Sequence, residues 1–164
     1  MFRSISYIKF LLTSNNQHGI HSPFVYDYIT KCLYVKQELK LPVTLKVLVK
    51  SLEYFKYESI FLVGDYKKSK EIIKKHCPKI AFVENNADVI LSNINDLKNS
   101  NLDLSNLPND CMLLVDEIHQ HKDNVESWKN LKTEDNVRVT IDMFYCGAIF
   151  FRKEQVKEHF KIRI

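Results

Sequence analysis

The stretch Cys111–His119 constrains the fold of this chain more than any other, because five apolar residues lead directly into two acids and a histidine. A fully apolar strand is typical of a parallel sheet that helices cover on both faces. In open parallel sheets, ligands bind just beyond the carboxyl ends of the strands. We therefore predict that Asp116, Glu117 and His119 lie at such an edge. The alternative is that the two acids only begin a loop.

Length and composition indicate a single globular domain. With 164 residues, 45% of them hydrophobic and 12% aromatic, the chain can build a substantial core. No apolar run approaches the roughly 18 residues needed to cross a bilayer, and no small-residue cleavage site follows the apolar run at 10–12. We therefore expect a cytoplasmic protein with no membrane partner. Four cysteines without a CxxC pair, Cys32, Cys77, Cys111 and Cys146, are expected to be buried free thiols.

The net charge of +4 is unevenly distributed. Residues 1–57 carry eight Lys or Arg against three acids, and residues 151–164 carry five against two, whereas residues 58–150 carry eleven against fifteen. Basic ends of this kind attract an anionic partner, or they pack against the acidic centre within the fold. Basic and aromatic residues do not interleave as in a nucleic-acid reader, so we expect no nucleic-acid partner.

The first 57 residues are predicted to be helical. Ile5, Ile8 and Leu12 follow helical spacing and predict a short amphipathic helix that lies against the core or a partner. Ser22-Pro23 and Pro42 predict the starts of two further helices, since proline is favoured in the first turn.

Two histidines, His18 and His21, precede the second of these helices. Their spacing permits a metal site, but such a site needs further ligands, and none is found nearby in the sequence. Hydrogen bonding within a cap or loop is therefore the preferred interpretation.

From residue 58 onward the pattern changes to strands that alternate with helices. Ser59–Val63 predicts a buried strand, Gly64 and Asp65 a turn, and residues 66–76 a lysine-rich helix. This order opens a nucleotide-binding unit, which makes Gly64 and Asp65 candidate cofactor-binding residues. A nucleotide-binding fingerprint needs more than one glycine, however, so a simple turn is the alternative.

Two apolar segments, 80–83 and 88–91, are separated by only four residues. A parallel crossover needs about a dozen residues, so one segment is predicted to be antiparallel, to lie at an edge, or to lie outside the sheet. Glu84 would stand at the tip of the first segment, where an acid can bind ribose hydroxyls. A solvated loop acid is the alternative.

The remaining segments complete the predicted fold. Residues 93–107 predict at best a frayed helix, residues 122–132 a helix, and residues 153–160 a charged final helix. Residues 137–142 and 147–151 predict an antiparallel hairpin. We therefore expect an α/β fold with a mostly parallel sheet and a C-terminal antiparallel hairpin, preceded by N-terminal helices.

Three stretches carry a family resemblance: HGIHSPFVYD at 18–27, LLVDEIHQHKDNVESW at 113–128 and VTIDMFYCGAIFFRKEQVKEHF at 139–160. Together with the order of elements, they resemble a methyltransferase-like family of the Bacteroidetes within the class I S-adenosylmethionine-dependent methyltransferases. The resemblance implies a shortened Rossmann-like sheet in residues 58–164, with residues 1–57 as a helical extension packed on it.

The resemblance also implies roles for the edge residues. Asp116, Glu117 and His119 match the family's Asp-Asp-x-His motif and are the candidate catalytic residues, while Gly64, Asp65 and Glu84 are the candidate cofactor-binding residues. In related oxygen methyltransferases, acids at this edge hold a divalent cation that polarises a hydroxyl. The partner acid from the fourth strand is missing here, so we expect no metal site.

The centre of the chain departs from the family pattern. Leu62 occupies the place of the acid that ends the first strand, Lys68 that of the second glycine, and Ser92 that of the aspartate that ends the fourth strand. The unit between the second and fourth strands is also missing. A long side chain where backbone should meet the cofactor predicts a lost pocket.

Two functions therefore compete. The first is a methyltransferase-like protein without a cofactor, which acts as a non-catalytic interaction module or oligomer through its N-terminal helices and basic tail. The alternative is an active S-adenosylmethionine-dependent O-methyltransferase that modifies a small molecule, with His119 as general base or Asp116 or Glu117 on a metal. A third, weaker possibility is a nucleotide or nucleic-acid binder. An open pocket between Gly64 and Asp116 favours the enzyme, and a filled one favours the first function.

Overall fold

The computed structural model describes residues 2–164, apart from the side chain of Gln17. The helices in this range are α1 (Phe2–Thr13), α2 (Pro23–Tyr28), α3 (Val43–Phe55), α4 (Lys67–His76), α5 (Ile94–Asn99) and α6 (Lys122–Thr133). The strands are β1 (Ser59–Val63), β2 (Ala81–Phe82), β3 (Val89–Asn93), β4 (Met112–Asp116), β5 (Val139–Asp142), β6 (Cys146–Phe150) and β7 (Glu158–Lys161). A π-helical turn, Ile29–Leu33, continues α2, and 3₁₀ turns occur at Gln17–Gly19 and Leu104–Asn106. None of the helices in residues 2–164 is long and apolar enough to span a bilayer.

The seven strands form one sheet in the order β2-β1-β3-β4-β6-β5-β7. Strands β1 to β4 are parallel to one another, and β6 runs antiparallel to both of its neighbours, β4 and β5. The edge strand β7 is parallel to β5. The predicted α/β fold with a mostly parallel sheet, a C-terminal antiparallel hairpin and preceding helices is therefore confirmed.

Helices cover both faces of the sheet, which explains why its central strands are apolar throughout. On one face, Leu91 and Leu114 pack in a cluster with Leu48 of α3 and Tyr28 of α2. On the other face, Ile90, Leu113 and their neighbours pack with residues of α5 and α6. Successive strand residues point to opposite faces, so a strand between two helix layers must be apolar at every position.

The N-terminal helices begin where their caps predict. The Ser22 side chain accepts a hydrogen bond from the Val25 backbone N–H, and Pro23 occupies the first turn of α2. Pro42 directly precedes α3. The cap satisfies a backbone donor that the first turn leaves free, and proline has no N–H to leave unsatisfied there.

The short link between β2 and β3 passes from one side of β1 to the other. Phe82 of β2 and Val89 of β3 both pair with Ile60 of β1. Strand β2 therefore lies at the edge of the sheet, which was one of the three predicted arrangements for these two segments. The Asp88 carboxylate fastens the link, because it accepts hydrogen bonds from the Glu58 and Ser59 backbone N–H groups and from the Ser59 hydroxyl.

The predicted helix over 153–160 is wrong, because the end of this segment forms β7. Phe160 is half-buried and packs against the core, whereas His159 and Lys161 on either side of it are exposed. The charged residues suggested a solvated helix, but an edge strand exposes every second side chain and tolerates charges equally well.

Gly147 in β6 is required by the close approach of Trp128 from α6. A Cβ atom at position 147 would lie 2.3 Å from Cη2 of the Trp128 ring, which is buried and cannot move aside. We expect Gly147→Ala to lower the free energy of unfolding by about 2 kcal/mol, as overpacked cores do. Chemical denaturation measures the change.

Gly19→Ala is the matched control for this prediction, because its Cβ would contact only the exposed side chain of Asn15 at 3.2 Å. Its effect is expected to stay within about 0.5 kcal/mol. Equal effects of the two substitutions would contradict the packing argument.

Candidate functional site

The strands β1, β3 and β4 end at one edge of the sheet, called here the carboxyl edge. Val63 pairs with Ser92, and the next residue of β3, Asn93, pairs with Asp116. Gly64 follows β1 directly, so the structure brings Gly64 and Asp116 to the same edge, as predicted. A crevice that could receive a ligand would lie above these three strand ends.

The side chain of Asp96 lies against one side of Gly64, which is otherwise exposed. Gly64 has a φ of 108°, and a Cβ atom there would lie only 2.0 Å from Oδ2 of Asp96. A residue with a side chain is therefore disfavoured at position 64. The group that lies against the glycine is the Asp96 carboxylate of the chain itself. This carboxylate lies against the turn that follows β1.

Asp96 is held in place by Asn93, which caps α5. The Asn93 Oδ1 atom accepts the backbone N–H of Asp96 (2.8 Å), and the Asn93 Nδ2 group donates to Asp96 Oδ2 (2.7 Å). The two residues thus cap the first turn of α5 through two hydrogen bonds in opposite directions, as the two residues of a capping box do. The position of the carboxylate against Gly64 is fixed by local hydrogen bonds.

Tyr66 supplies a second side chain at the same edge. Its hydroxyl is buried without a hydrogen-bond partner among the described residues. Burial raises the pKa of Tyr66, and the nearby carboxylates of Asp116, Asp96 and Glu117 raise it further. Because these acids belong to the end of β4 and the first turn of α5, Tyr66 lies near the carboxyl edge.

Lys68 does not fill the crevice, although its long side chain motivated the prediction of a lost pocket. It lies exposed in the first turn of α4. The residues that occupy the edge, Asp96 and Tyr66, were not recognised in the sequence. Tyr66 had one local signal, since a bulky aromatic residue two positions after the glycine is unsuited to a turn that receives a ligand.

Asp116 and Glu117 point in different directions. The Asp116 Oδ1 atom accepts hydrogen bonds from the Thr44 hydroxyl (2.6 Å) and from the Glu117 backbone N–H (2.9 Å), which ties the end of β4 to the first turn of α3. Glu117 has a φ of 60° and an exposed side chain. Within residues 2–164, no group of three or more Asp, Glu, His or Cys side chains is placed to hold a metal ion.

His119 is buried beneath α1. Its Nε2 atom lies 2.9 Å from Asp142 Oδ2, and its Nδ1 atom lies 3.0 Å from the Ser6 hydroxyl of α1. The ring also stacks on Phe144 at a centroid distance of 4.9 Å. A neutral ring that donates from Nε2 to the carboxylate accepts the Ser6 hydroxyl at Nδ1, so both nitrogens are satisfied.

The Ser6 hydroxyl is hydrogen-bonded to His119, which is hydrogen-bonded to Asp142, and the same arrangement of side chains activates the serine nucleophile of many hydrolases. Ser6, however, lies within α1, where the neighbouring backbone N–H groups donate to carbonyls one turn earlier. Such a serine lacks the adjacent backbone donors that an oxyanion requires. We therefore interpret the three side chains as an anchor that fastens α1 to the ends of β4 and β5.

The remaining candidates lie on the surface. Asp65 and Glu84 are exposed, and Asp65 accepts only a long hydrogen bond (3.4 Å) from the Lys67 backbone N–H. Glu84 follows the two-residue strand β2. His18 and His21 are exposed as well, with His18 in a 3₁₀ turn capped by Asn16. The structure therefore does not bring Glu84 or these histidines together with Asp116.

Neither family models, nor curated proteins, nor solved structures yield a match to this chain.

Tyr66→Phe tests the environment of the buried phenol. Removing a buried hydroxyl that has no partner removes a desolvation penalty, so we expect the free energy of unfolding to rise by about 1 kcal/mol. Urea denaturation measures the change, with Tyr26→Phe as the control because Tyr26 is exposed. A loss of stability in Tyr66→Phe would show that the hydroxyl has a partner.

Substitutions in the anchor are expected to lower stability by different amounts. His119→Ala leaves Oδ2 of the buried Asp142 carboxylate without a donor, while Oδ1 keeps the Phe144 backbone N–H. Losing a hydrogen bond to a buried charged group is expected to lower the free energy of unfolding by about 3 kcal/mol. Ser6→Ala removes one half-buried hydrogen bond and is expected to cost about 1 kcal/mol. In both variants, amide hydrogen exchange should increase first in α1. Unchanged exchange in α1 would contradict its attachment through this anchor.

Proposed function

We propose that this chain is a methyltransferase-like protein that does not bind S-adenosylmethionine and acts as a non-catalytic interaction module or oligomer. The observation that carries the proposal is the position of the Asp96 carboxylate against Gly64. A cofactor that approached the turn after β1 would meet this carboxylate.

The chemistry of the carboxyl edge supports the same conclusion. Tyr66 lies among the carboxylates, and Asp116 is engaged by the Thr44 hydroxyl of α3. His119, the candidate general base, has both ring nitrogens paired. A general base needs a nitrogen within hydrogen-bond reach of a substrate proton, and here both nitrogens serve the anchor.

One cavity supports a role away from this edge. A cavity of about 650 Å³ lies between the C-terminal ends of α3 and α4, beside β2, and is lined in part by Leu52, Tyr57, Cys77 and Ile80. It lies beside the first residues of β1 rather than its carboxyl end. The residues proposed for catalysis therefore do not line it.

A cytoplasmic location forms part of the proposal and is supported by the cysteines. All four are free thiols, and burial raises the pKa of the Cys32 and Cys111 thiols to about 12. Such thiols remain protonated and unreactive at neutral pH. Free, unreactive cysteines are typical of a reducing compartment.

Calorimetry with S-adenosylmethionine and with its demethylated product, S-adenosylhomocysteine, tests the proposal. We expect no binding of either compound at micromolar concentrations, because both need the space that Asp96 and Tyr66 occupy. Circular dichroism provides the control that the protein is folded. Micromolar binding of either compound would refute the proposal and favour the active methyltransferase.

A further inference from the structure

Helix α1 presents a second apolar face to solvent. Ile5, Ile8 and Leu12 follow one another at spacings of three and four and are 47%, 58% and 81% exposed. We call these three residues the outer stripe. The opposite side of α1 is attached to the protein through the Ser6 anchor and through the buried Phe10. The helix is therefore held rigidly with its outer stripe directed away from the core.

Two chain segments beside the outer stripe carry cations and no acid. Residues 2–26 contain Arg3 and Lys9 but no Asp or Glu, and residues 159–164 contain Lys161 and Arg163 but no acid. These two segments are adjacent, because the Asn15 backbone N–H donates to the Lys161 carbonyl oxygen (2.8 Å). The Lys161 ammonium group also donates to the Thr13 hydroxyl (3.1 Å).

A cavity of about 390 Å³ connects the apolar and basic features. Lys9 and Lys161 line it together with Phe10 and Leu12 of α1 and Val125 of α6. The rest of the lining comes from Ser6, Thr13 and His119. Two ammonium groups beside apolar side chains match an amphiphile, whose anionic group pairs with the lysines while its hydrocarbon contacts the apolar residues.

A second copy of the chain fits this surface poorly. Two α1 helices paired face to face would bring their cations together without an acid to compensate. The helix has 12 residues and is therefore about 18 Å long, too short to bury by itself the roughly 800 Å² per partner of a stable interface. An anionic bilayer surface supplies negative charge and an apolar layer together, and it accepts a single helix face.

We propose that α1 and the adjacent end of β7 dock this protein on an anionic lipid surface. The outer stripe enters the boundary between headgroups and acyl chains, while Lys9 and Lys161 contact lipid phosphates and carboxylates. The earlier expectation of no membrane partner rested on the lack of a spanning segment, which does not bear on surface attachment. This inference rests on the proposed function in one respect: it takes the protein to be an interaction module and names the lipid surface as its partner.

Vesicle co-sedimentation of the full chain tests the inference. Vesicles of phosphatidylcholine are compared with vesicles of phosphatidylcholine and phosphatidylserine mixed two to one. We expect the protein to sediment with the mixed vesicles and not with phosphatidylcholine vesicles. High salt should release it, because salt screens the attraction between the lysines and the anionic lipids. Ile8→Glu and Lys9→Glu should each weaken binding at least about fivefold.

Val156→Glu is the matched control. Val156 is an apolar residue, 75% exposed, in the segment between β6 and β7, so this variant gains the same charge outside the outer stripe and should bind as the wild type does. Thermal melts confirm that the exposed substitutions leave the fold intact.

Three results would overturn the inference: no binding of the wild type to the mixed vesicles, unchanged binding of Ile8→Glu, or a dimer in analytical ultracentrifugation that Ile8→Glu dissociates. The last result would identify the outer stripe as a contact between copies. Calorimetry with S-adenosylmethionine is independent of all three, so failure of this inference is distinguishable from failure of the proposed function.

Discussion

The burial of the central strands on both faces is the constraint on which the rest of this structure depends. Strands β3, β4, β5 and β6 are buried along almost their whole length, so most polar side chains of these strands lie at or near the strand ends. Unpaired polar groups inside such a sheet would cost several kcal/mol each in hydrocarbon-like surroundings. The carboxyl edge therefore collects Asn93, Asp116 and Asp142, whatever function the protein serves.

At the carboxyl edge the chain satisfies its own polar groups. Asn93 holds Asp96, Thr44 holds Asp116, and His119 holds Asp142. An enzyme site usually keeps some polar groups free for a ligand and accepts the loss of stability. Here the carboxylates of Asp96, Asp116 and Asp142 each have a partner from the chain itself, which contributes to stability.

The His119 anchor links this edge to the surface chemistry of α1. A short isolated helix is marginal in water, so α1 depends on contacts with the body of the protein. The contacts of Ser6, Tyr7 and Phe10 with His119 and Phe144 provide them. His119 thus holds α1 in place while the outer stripe stays exposed.

Much of the fold was predictable because its signals are local. Ser22-Pro23 and Pro42 mark helix starts through bonds within one turn, and the apolar runs at 59–63 and 111–115 predict strands covered on both sides. The strand at 158–161 was mistaken for a helix, because pairing with β5 decides its conformation and that pairing is absent from the local pattern.

The sequence by itself determined most of the elements, the edge location of Gly64 and Asp116 and the basic character of the two ends. Only the tertiary structure placed Asp96 against Gly64 and Tyr66 near the carboxyl edge. It also paired His119 with a serine 113 residues away. The physical reason is that element formation depends on neighbours within a turn or a strand. The occupancy of a site, in contrast, depends on side chains that meet only after the sheet has assembled.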